Sequence, residues 1–200
     1  MTLDSGRLEA FSDGVFAVAI TILALNLAVP GPGHGPLARQ LAGHWPSFAA
    51  YIVSFLTIGI IWVNHHTLFK NISRIDRTLL FLNLLLLFFV VAIPFATGTI
   101  AAYLSHGGTS ATLAAAVYQG VFEGMSLSFG TLFWWSIWRK HLKIDLTPSA
   151  ARAAVIRFGA GNIAYLVAIG MAVLSAPASL LISGLVAVYY VFEHTPAQPG

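Results

Sequence analysis

Long apolar runs, separated by short polar or glycine- and proline-rich breaks, extend along almost the whole chain. A helix needs about 20 mainly apolar residues to cross the hydrocarbon core of a bilayer. On this criterion the pattern predicts six transmembrane helices, over residues 6–29, 46–68, 76–104, 110–138, 149–174 and 177–192. We therefore expect an all-α membrane protein with one six-helix transmembrane domain over residues 1–194 and a short flexible tail over residues 195–200.

Residues that break helices or favour the membrane interface mark several of these boundaries. The sequence PGPG at residues 30–33 ends the first predicted helix, and Trp45 followed by Pro46 begins the second. Pro94 lies inside the third predicted helix, where we expect a kink. Three tryptophans within residues 134–138 place the end of the fourth helix in an interfacial aromatic belt.

The composition supports this assignment. Hydrophobic residues make up 58% of the 200 residues and charged residues only 8%, whereas about a quarter of an average soluble domain is charged. The net charge of +3 is small and dispersed, which argues against nucleic-acid binding, and the absence of cysteine excludes disulfides and thiolate metal sites. Arg7, Glu9 and Asp13 interrupt the first apolar run, so we expect a permanent helix rather than a cleaved signal peptide.

Basic residues predict the orientation of the helices in the membrane. The connections after the second and fourth predicted helices carry Lys70, Arg74, Arg77, Arg139, Lys140 and Lys143. On the opposite side, Arg39 is the one lysine or arginine in the connections. Since basic connections face the cytoplasm, both chain ends are predicted to be cytoplasmic, in agreement with an even number of spans.

The first predicted helix carries polar residues and an apolar stripe on different sides. The stripe consists of Phe11, Gly14, Val18, Ile22 and Leu25, with Thr21 beside it. At about 100° per residue, Asp13 lies roughly 140° from this stripe and faces away from it. Arg7 lies too far round the helix to pair with Asp13, so Asp13 needs a partner on a neighbouring helix.

The predicted topology places several possible partners near the depth of Ser12 and Asp13. They are Asn64, His65, His66, Asn83 and Arg157. One interpretation is a structural lock that satisfies buried hydrogen-bonding groups and fixes the register of the helices. The other is a proton or ion site, because ionisable residues inside a membrane are costly and often functional. The structural lock is the favoured interpretation, because a buried carboxylate that faces away from the apolar stripe is usually there to be paired.

Catalytic and metal-binding patterns are absent from the sequence. His65 and His66 are adjacent, so their side chains point about 100° apart on a helix and do not easily bind one ion. No nucleophile elbow, phosphate loop or dinucleotide fingerprint occurs, and the stretch 96–99 does not match a carbonyl-lined potassium filter. We therefore predict no enzyme activity, cofactor or bound metal. Glu123 is compatible with protonation, with pairing to Asn162 or another helix, or with lining water.

Residues 7–13, RLEAFSD, match the pattern R-x-x-x-F-S-D, and residues 14–21 (GVFAVAIT) and 62–66 (WVNHH) extend the match. At the inner end of the first helix of a six-span chain, this pattern resembles the transmembrane protein 175 family, in particular its bacterial single-repeat members. The resemblance implies a homotetrameric potassium channel without a carbonyl filter and with modest preference for potassium over sodium. Its pore follows the fourfold axis and is lined by the first helix of each subunit.

Carried onto this chain, the resemblance assigns roles to particular residues. The pore-lining and gate residues are Val18, Thr21, Ile22 and Leu25. The interhelical polar network contains Arg7, Phe11, Ser12, Asp13, His65, His66 and Asn83. Val18 is smaller than the leucine or isoleucine expected at the narrowest ring. The sequence therefore does not decide whether Val18, Ile22 or Leu25 forms the seal of the pore. The implied partners are other copies of the chain, the lipid of the plasma membrane and permeant potassium ions.

Two other functions stay as alternatives. A proton-coupled transporter of a small solute or cation would use Asp13, Glu123 and the histidines as a relay, although no inverted repeat or pair of broken helices is visible. The second alternative to a channel is a membrane-embedded enzyme or a non-conducting structural subunit. The absence of a catalytic pattern argues against the enzyme, and an electrical or flux measurement separates a channel from a structural subunit.

Overall fold

The computed structural model describes residues 5–143 and 147–192, which fold as helices joined by short connections. Within these residues the α-helices are α1 (Ser5–Leu23), α2 (Leu37–Gly43), α3 (Trp45–Lys70), α4 (Arg77–Tyr103), α5 (Gly108–Trp138), α6 (Pro148–Leu174) and α7 (Ala176–Phe192). The all-α class expected from the apolar pattern is confirmed. The predicted tail over residues 195–200 lies outside the described residues.

The first helix ends earlier than the apolar pattern predicts. α1 stops at Leu23, and one turn of 3-10 helix follows at Ala24–Leu27. The apolar run continues to Val29, but hydrophobicity alone does not distinguish an α-helix from the 3-10 turns that are frequent at helix ends. The tighter turn changes the backbone geometry at the C-terminal end of the helix.

The connection to the second long helix contains α2, which the apolar pattern does not predict. Gly31, Gly33 and Gly35 adopt φ angles of 88°, 94° and 88°, a left-handed region that suits glycine. The side-chain amide of Gln40 holds this connection together. Its Oε1 accepts from the backbone N–H of Gly31, and its Nε2 donates to the carbonyl oxygens of Gly31 and Gly35, each at 2.9 Å.

α4 packs against α1, α3 and α5. Its inward face is apolar, and Leu79, Leu86, Val90 and Ile93 are all completely buried. α6 packs against α5 and α7, and α7 also contacts α3. α1 packs against α3 and α4, so these two helices determine which of its faces is buried.

The two most basic connections lie against each other. The backbone N–H of Ser73 donates to the carbonyl oxygen of His141 at 2.7 Å, and that of Lys143 donates to the carbonyl oxygen of Asn71 at 2.8 Å. Glu9, near the start of α1, also contacts the end of α3. The start of α1 and both basic connections therefore occupy the same end of the bundle.

Asp76 joins several elements at this basic end. Its Oδ1 accepts from the backbone N–H of Leu79 at 2.7 Å and so caps the start of α4. Its Oδ2 accepts from Nε1 of Trp135 on α5 at 3.1 Å and lies 3.5 Å from Nε2 of His141. One carboxylate thus connects α4, α5 and the connection that follows α5.

Large apolar side chains cover much of the outside of the bundle. α3 and α4 are long and apolar enough to cross a membrane, with mean hydropathies of 1.8 and 2.7 in their most apolar stretches, and Gly159–Leu174 and Ala176–Val191 are shorter apolar helical segments. Phe88 and Phe95 on α4 are 65% and 69% exposed. Soluble monomers rarely expose extensive apolar surface, so this exterior is suited to contact with lipid or with other protein chains.

Candidate functional site

α1 has two chemically distinct faces. Ser12, Phe16, Ala19 and Leu23 are buried, on the side that packs against α3 and α4. The opposite side is exposed and carries Phe11, Gly14, Ala17, Val18, Thr21, Ile22 and Leu25. These exposed residues, here called the α1 ridge, follow helical spacing and form one continuous strip along the helix.

The α1 ridge is largely apolar but includes a hydroxyl group. Val18, Ile22 and Leu25 are 56%, 40% and 77% exposed, although Leu25 lies in the 3-10 turn rather than in α1. Oγ1 of Thr21 donates to the carbonyl oxygen of Val18 at 2.9 Å. Because this bond uses the hydroxyl proton, the Thr21 oxygen keeps acceptor capacity for a ligand outside the helix. All four residues assigned to the pore by resemblance are exposed in the single chain.

A buried hydrogen-bonded chain holds the other face of α1. Nε2 of His65 on α3 lies 2.8 Å from Oδ1 of Asn83 on α4, and Nδ2 of Asn83 donates to Oγ of Ser12 at 3.0 Å. Oγ of Ser12 in turn donates to the carbonyl oxygen of Leu8 at 2.9 Å. His65, Asn83 and Ser12 are each completely buried. Since an amide oxygen only accepts, His65 donates from Nε2, and the chain has a single direction.

Aromatic rings fix the position of His65 within this chain. Its ring stacks on Phe69 with centroids 4.1 Å apart and an interplanar angle of 19°, and it lies 5.3 Å from the ring of Phe16 on α1. Phe16 and Phe69 are themselves almost completely buried. The imidazole is therefore held between α1 and α3 by packing as well as by its hydrogen bond.

A second polar cluster lies nearer the surface between the same helices. Nε1 of Trp62 donates to Oδ1 of Asp13 at 2.9 Å. Nδ1 of His66 lies 2.8 Å from Oε1 of Glu9, an ion-pair distance without the alignment of a good hydrogen bond. The rings of Trp62 and His66 also stack, with centroids 5.8 Å apart. Asp13 thus has the partner on a neighbouring helix that its position on α1 requires.

The single polar layer considered from the sequence is divided in two in the structure. Ser12, His65 and Asn83 form the buried chain, whereas Asp13 and His66 belong to the outer cluster. Arg7 and Phe11 are exposed, and within the described part of the chain neither joins either cluster. The side chain of Arg157 lies outside the described residues. Asn64 lines a cavity of ≈ 40 Å³ together with residues from α5, α6 and α7.

Two members of the outer cluster, Glu9 and Trp62, are absent from the sequence-based set of site residues. A signal for both exists in the sequence, because Glu9 and Asp13 are four residues apart, as are Trp62 and His66. Residues at this spacing share one face of a helix. The two pairs lie on helices that are predicted to meet. Once the rotation of each helix is known, they indicate a contact among these four residues.

Glu123 remains apart from these clusters. It is 7% exposed on α5, and its Oε2 has no hydrogen-bond partner among the described residues. The same holds for Oδ1 of Asn162 on α6. Within the part of the chain that the structure describes, these two oxygens take no part in the pairing of Glu123 with Asn162 that the sequence left open.

Comparison with known proteins places the chain in a family. The sequence model of the family described as endosomal/lysosomal potassium channel TMEM175 matches residues 7–94. A potassium channel of Streptomyces collinus is 49% identical over 196 residues, which cover 96% of this chain and 94% of that protein. An endosomal/lysosomal proton channel TMEM175 of Gallus gallus is 40% identical over 103 residues, which cover 47% of this chain and 21% of that protein.

Solved structures agree with this placement. The crystal structure of a lysosomal potassium-selective channel TMEM175 homolog from Chamaesiphon minutus matches with a TM-score of 0.84 at 35% identity and covers 96% of this chain and 98% of that one. The potassium channel MtTMEM175 matches with a TM-score of 0.60 at 21% identity and supports the fold alone. Fold and similarity define an integral membrane protein of an ion-channel class rather than an enzyme class. The chain belongs to the TMEM175 family.

Proposed function

We propose that this protein is a potassium-selective cation channel of the plasma membrane, in which four copies enclose a central pore lined by the α1 ridge. In this arrangement α1 and α3–α7 span the membrane, and both chain ends are cytoplasmic. The basic connections support this orientation, because they gather at the end of the bundle where α1 begins. Conduction in this proposal requires no cofactor and no nucleic-acid partner, only other copies of the chain, lipid and potassium ions.

The observation that carries the proposal is the exposure of the α1 ridge on a helix whose other face is fixed. The hydrogen bonds from Asn83 to Ser12 and from Trp62 to Asp13 bind α1 to two neighbouring helices. Rotating α1 to bury the ridge within its own subunit would break both bonds and expose Phe16. The ridge is therefore directed outward, where it meets either lipid or another subunit.

The side chains of the ridge favour another subunit over lipid. Gly14, Ala17 and Thr21 interrupt its larger apolar residues, and small residues let membrane helices approach closely. The exposed face of α4 differs, because it presents large rings such as Phe88 and Phe95. A ridge that combines small residues with a hydroxyl is suited to a narrow axis that admits water and ions, whereas the α4 face is suited to acyl chains.

Rings of apolar side chains from four α1 helices would close the pore in its resting state. A hydrated cation entering a neck formed by Val18, Ile22 or Leu25 would lose water and gain no comparable contact, so a dewetted neck excludes ions. Opening would move α1 outward until water refills the neck. Which of the three rings forms the narrowest point depends on the tilt of α1 around the axis.

Thr21 would supply the modest preference for potassium. Its hydroxyl proton is bound to the carbonyl oxygen of Val18, so four copies would present four oxygen acceptors toward the axis. These oxygens replace only part of a hydration shell. Potassium holds its water less tightly than sodium, and a weakly coordinating ring therefore penalises sodium more.

The proposal is tested by potassium flux into proteoliposomes carrying the purified protein, with sodium as the comparison. Leu25→Ala or Ile22→Ala should raise the leak and weaken discrimination, because each widens an apolar ring. Leu85→Ala on the outer face of α4 is the matched control, since Leu85 is 45% exposed but lies away from the ridge. Equal flux in all four proteins would remove the ridge from the conduction path.

The same vesicles distinguish a channel from a proton-coupled transporter. Flux that saturates with substrate and depends on an imposed proton gradient would replace the channel by the transporter. A separate proton-flux measurement is informative because the animal relatives are named proton channels. Proton entry that is independent of substrate and rises with Leu25→Ala would place protons in the same pore.

A further inference from the structure

Three side chains that are able to bind a metal ion meet where α1 crosses the C-terminal half of α3. Glu9, Asp13 and His66 each offer one ligand atom, and these atoms all lie within 4.8 Å of one another. We propose that these three residues bind a divalent transition-metal ion such as Zn²⁺ and thereby connect α1 to α3. The inference does not depend on whether the chain conducts ions.

The backbone places the three ligands on one side of the contact between the helices. Glu9 and Asp13 are four residues apart and share a face of α1, while His66 approaches from α3. Zn²⁺ binds nitrogen and carboxylate oxygen at about 2.0–2.2 Å, so tetrahedral ligand atoms lie roughly 3.3 Å apart. Nδ1 of His66 is already 2.8 Å from Oε1 of Glu9, and small side-chain rotations would admit an ion between them.

The donor set selects the class of ion. One imidazole nitrogen with two carboxylate oxygens suits Zn²⁺ and its transition-metal neighbours, whereas Mg²⁺ and Ca²⁺ prefer ligand sets made only of oxygen. Two carboxylates would also balance the charge of a divalent ion at the edge of the membrane. Three protein ligands leave a fourth position for water, the arrangement found in open zinc sites.

Trp62 orients two of the three ligands in advance. Its Nε1 donates to Oδ1 of Asp13, which leaves Oδ2 of the same carboxylate for a metal. Its ring stacks on the ring of His66 at an interplanar angle of 24°. Groups that hold ligands in this way commonly stabilise metal sites. Nδ1 of His66 is fully covered but has no aligned hydrogen bond within the described residues, and an ion would satisfy it.

The experiment is calorimetric titration of ZnCl₂ into the purified full chain. The variants His66→Gln and Glu9→Gln each remove one ligand, and His106→Gln is the control because His106 is exposed in the connection between α4 and α5. We expect a site in the unaltered protein whose affinity falls about 100-fold in both ligand variants and is unchanged in the control. MgCl₂ should show no comparable binding.

Visible absorption of the Co²⁺-substituted protein provides an independent measurement of metal binding. A nitrogen ligand and an open tetrahedral geometry give bound Co²⁺ an intense visible spectrum. Either ligand variant should abolish this spectrum. If His66→Gln does not yield folded protein, the Zn²⁺ affinity of Glu9→Gln tests the site, since this variant keeps the size and hydrogen-bonding capacity of the side chain. Unchanged Zn²⁺ affinity in Glu9→Gln, or equally tight binding of Mg²⁺, overturns the proposal. Channel activity is not used as a readout, so failure of this site and failure of the conduction proposal are separate results.

Discussion

Nδ2 of Asn83 on α4 donates to Oγ of Ser12 on α1 at 3.0 Å, and both residues are completely buried. The other end of the same amide accepts from Nε2 of His65 on α3. One side chain therefore connects three helices and uses its donor and its acceptor at the same time. Because Ser12, His65 and Asn83 are all completely buried, water does not readily replace a lost partner in this chain.

Replacement of Asn83 by leucine should be strongly destabilising. Asn83→Leu keeps the branched shape of the side chain but leaves His65 and Ser12 without their partners, and each buried unsatisfied group costs about 1–3 kcal/mol. We expect a lower yield and a thermal midpoint several degrees lower in detergent. Asn71→Leu is the control, because Nδ2 of Asn71 bonds to the carbonyl oxygen of Thr67 one helical turn earlier and not to another helix among the described residues. Equal loss of stability in the two variants would contradict the special role of Asn83.

Substitutions of Asp13 distinguish a structural lock from an ion site. Asp13→Asn keeps an oxygen that can accept from Nε1 of Trp62, whereas Asp13→Ala removes the acceptor. With a chelator present, we expect Asp13→Ala to reduce the fraction of assembled oligomer in size-exclusion chromatography and Asp13→Asn to restore most of it. Normal assembly of Asp13→Ala with an altered ion preference would instead assign Asp13 to ion binding.

The sequence could predict that the stripe residues of α1 share one side of the helix, because this depends only on helical periodicity. Val18, Ile22 and Leu25 recur at the spacing of one helix face, and the same wheel turns Asp13 away from them. Both features follow from the chain's own geometry and need no knowledge of a neighbour. Their exposure and the bond from Trp62 to Asp13 agree with that geometry.

The partners across helices could not be predicted in the same way. The meeting of Glu9 with His66 depends on the rotation and relative height of α1 and α3, which periodicity within one helix leaves undetermined. For this reason two adjacent histidines gave no sign of a metal site, although His66 meets two carboxylates from another helix. The apolar pattern could not predict α2. The connection that contains this helix is held together by hydrogen bonds of the polar side chain of Gln40 to Gly31 and Gly35.

Thr21→Val tests the origin of ion preference. Valine has nearly the same shape, so the ring should keep its width but lose its four oxygen acceptors. We expect the ratio of potassium to sodium flux to fall a few-fold, which corresponds to less than about 1 kcal/mol, while Thr21→Ser should preserve it. Thr131→Val is the matched control, since Thr131 is an exposed residue of α5 whose hydroxyl also bonds to its own helix. An unchanged ratio in Thr21→Val would move the preference elsewhere.

Asp76→Ala should loosen the basic end of the bundle. It removes the cap of α4, worth about 1 kcal/mol, and the acceptor of Trp135, worth about another 1 kcal/mol. Asp76→Asn retains an oxygen for the backbone N–H of Leu79 and should recover the cap. The shift of the thermal midpoint, with protease cleavage of the connection after α5 as a second measurement, checks the prediction. Wild-type behaviour of Asp76→Ala in both assays would mean that the other hydrogen bonds between the two connections hold them together without Asp76.

Gly124 on α5 lies against the ring of Phe89 on α4 and forms a matched pair with Gly120 one turn earlier. A Cβ atom at Gly124 would overlap the ring of Phe89, whereas a Cβ atom at Gly120 would meet no atom within 4 Å. Gly124→Ala must displace the ring, and overpacking of this kind costs about 1–3 kcal/mol. Gly120→Ala should instead stabilise the helix by up to about 1 kcal/mol, since alanine restricts the unfolded chain and has the higher helix propensity.

Opposite shifts of the thermal midpoint are therefore expected, and Phe89→Ala should relieve the penalty in a double variant with Gly124→Ala. A rise in midpoint for both single variants would show that the ring moves aside without cost and that α4 and α5 are not held at their distance by this contact.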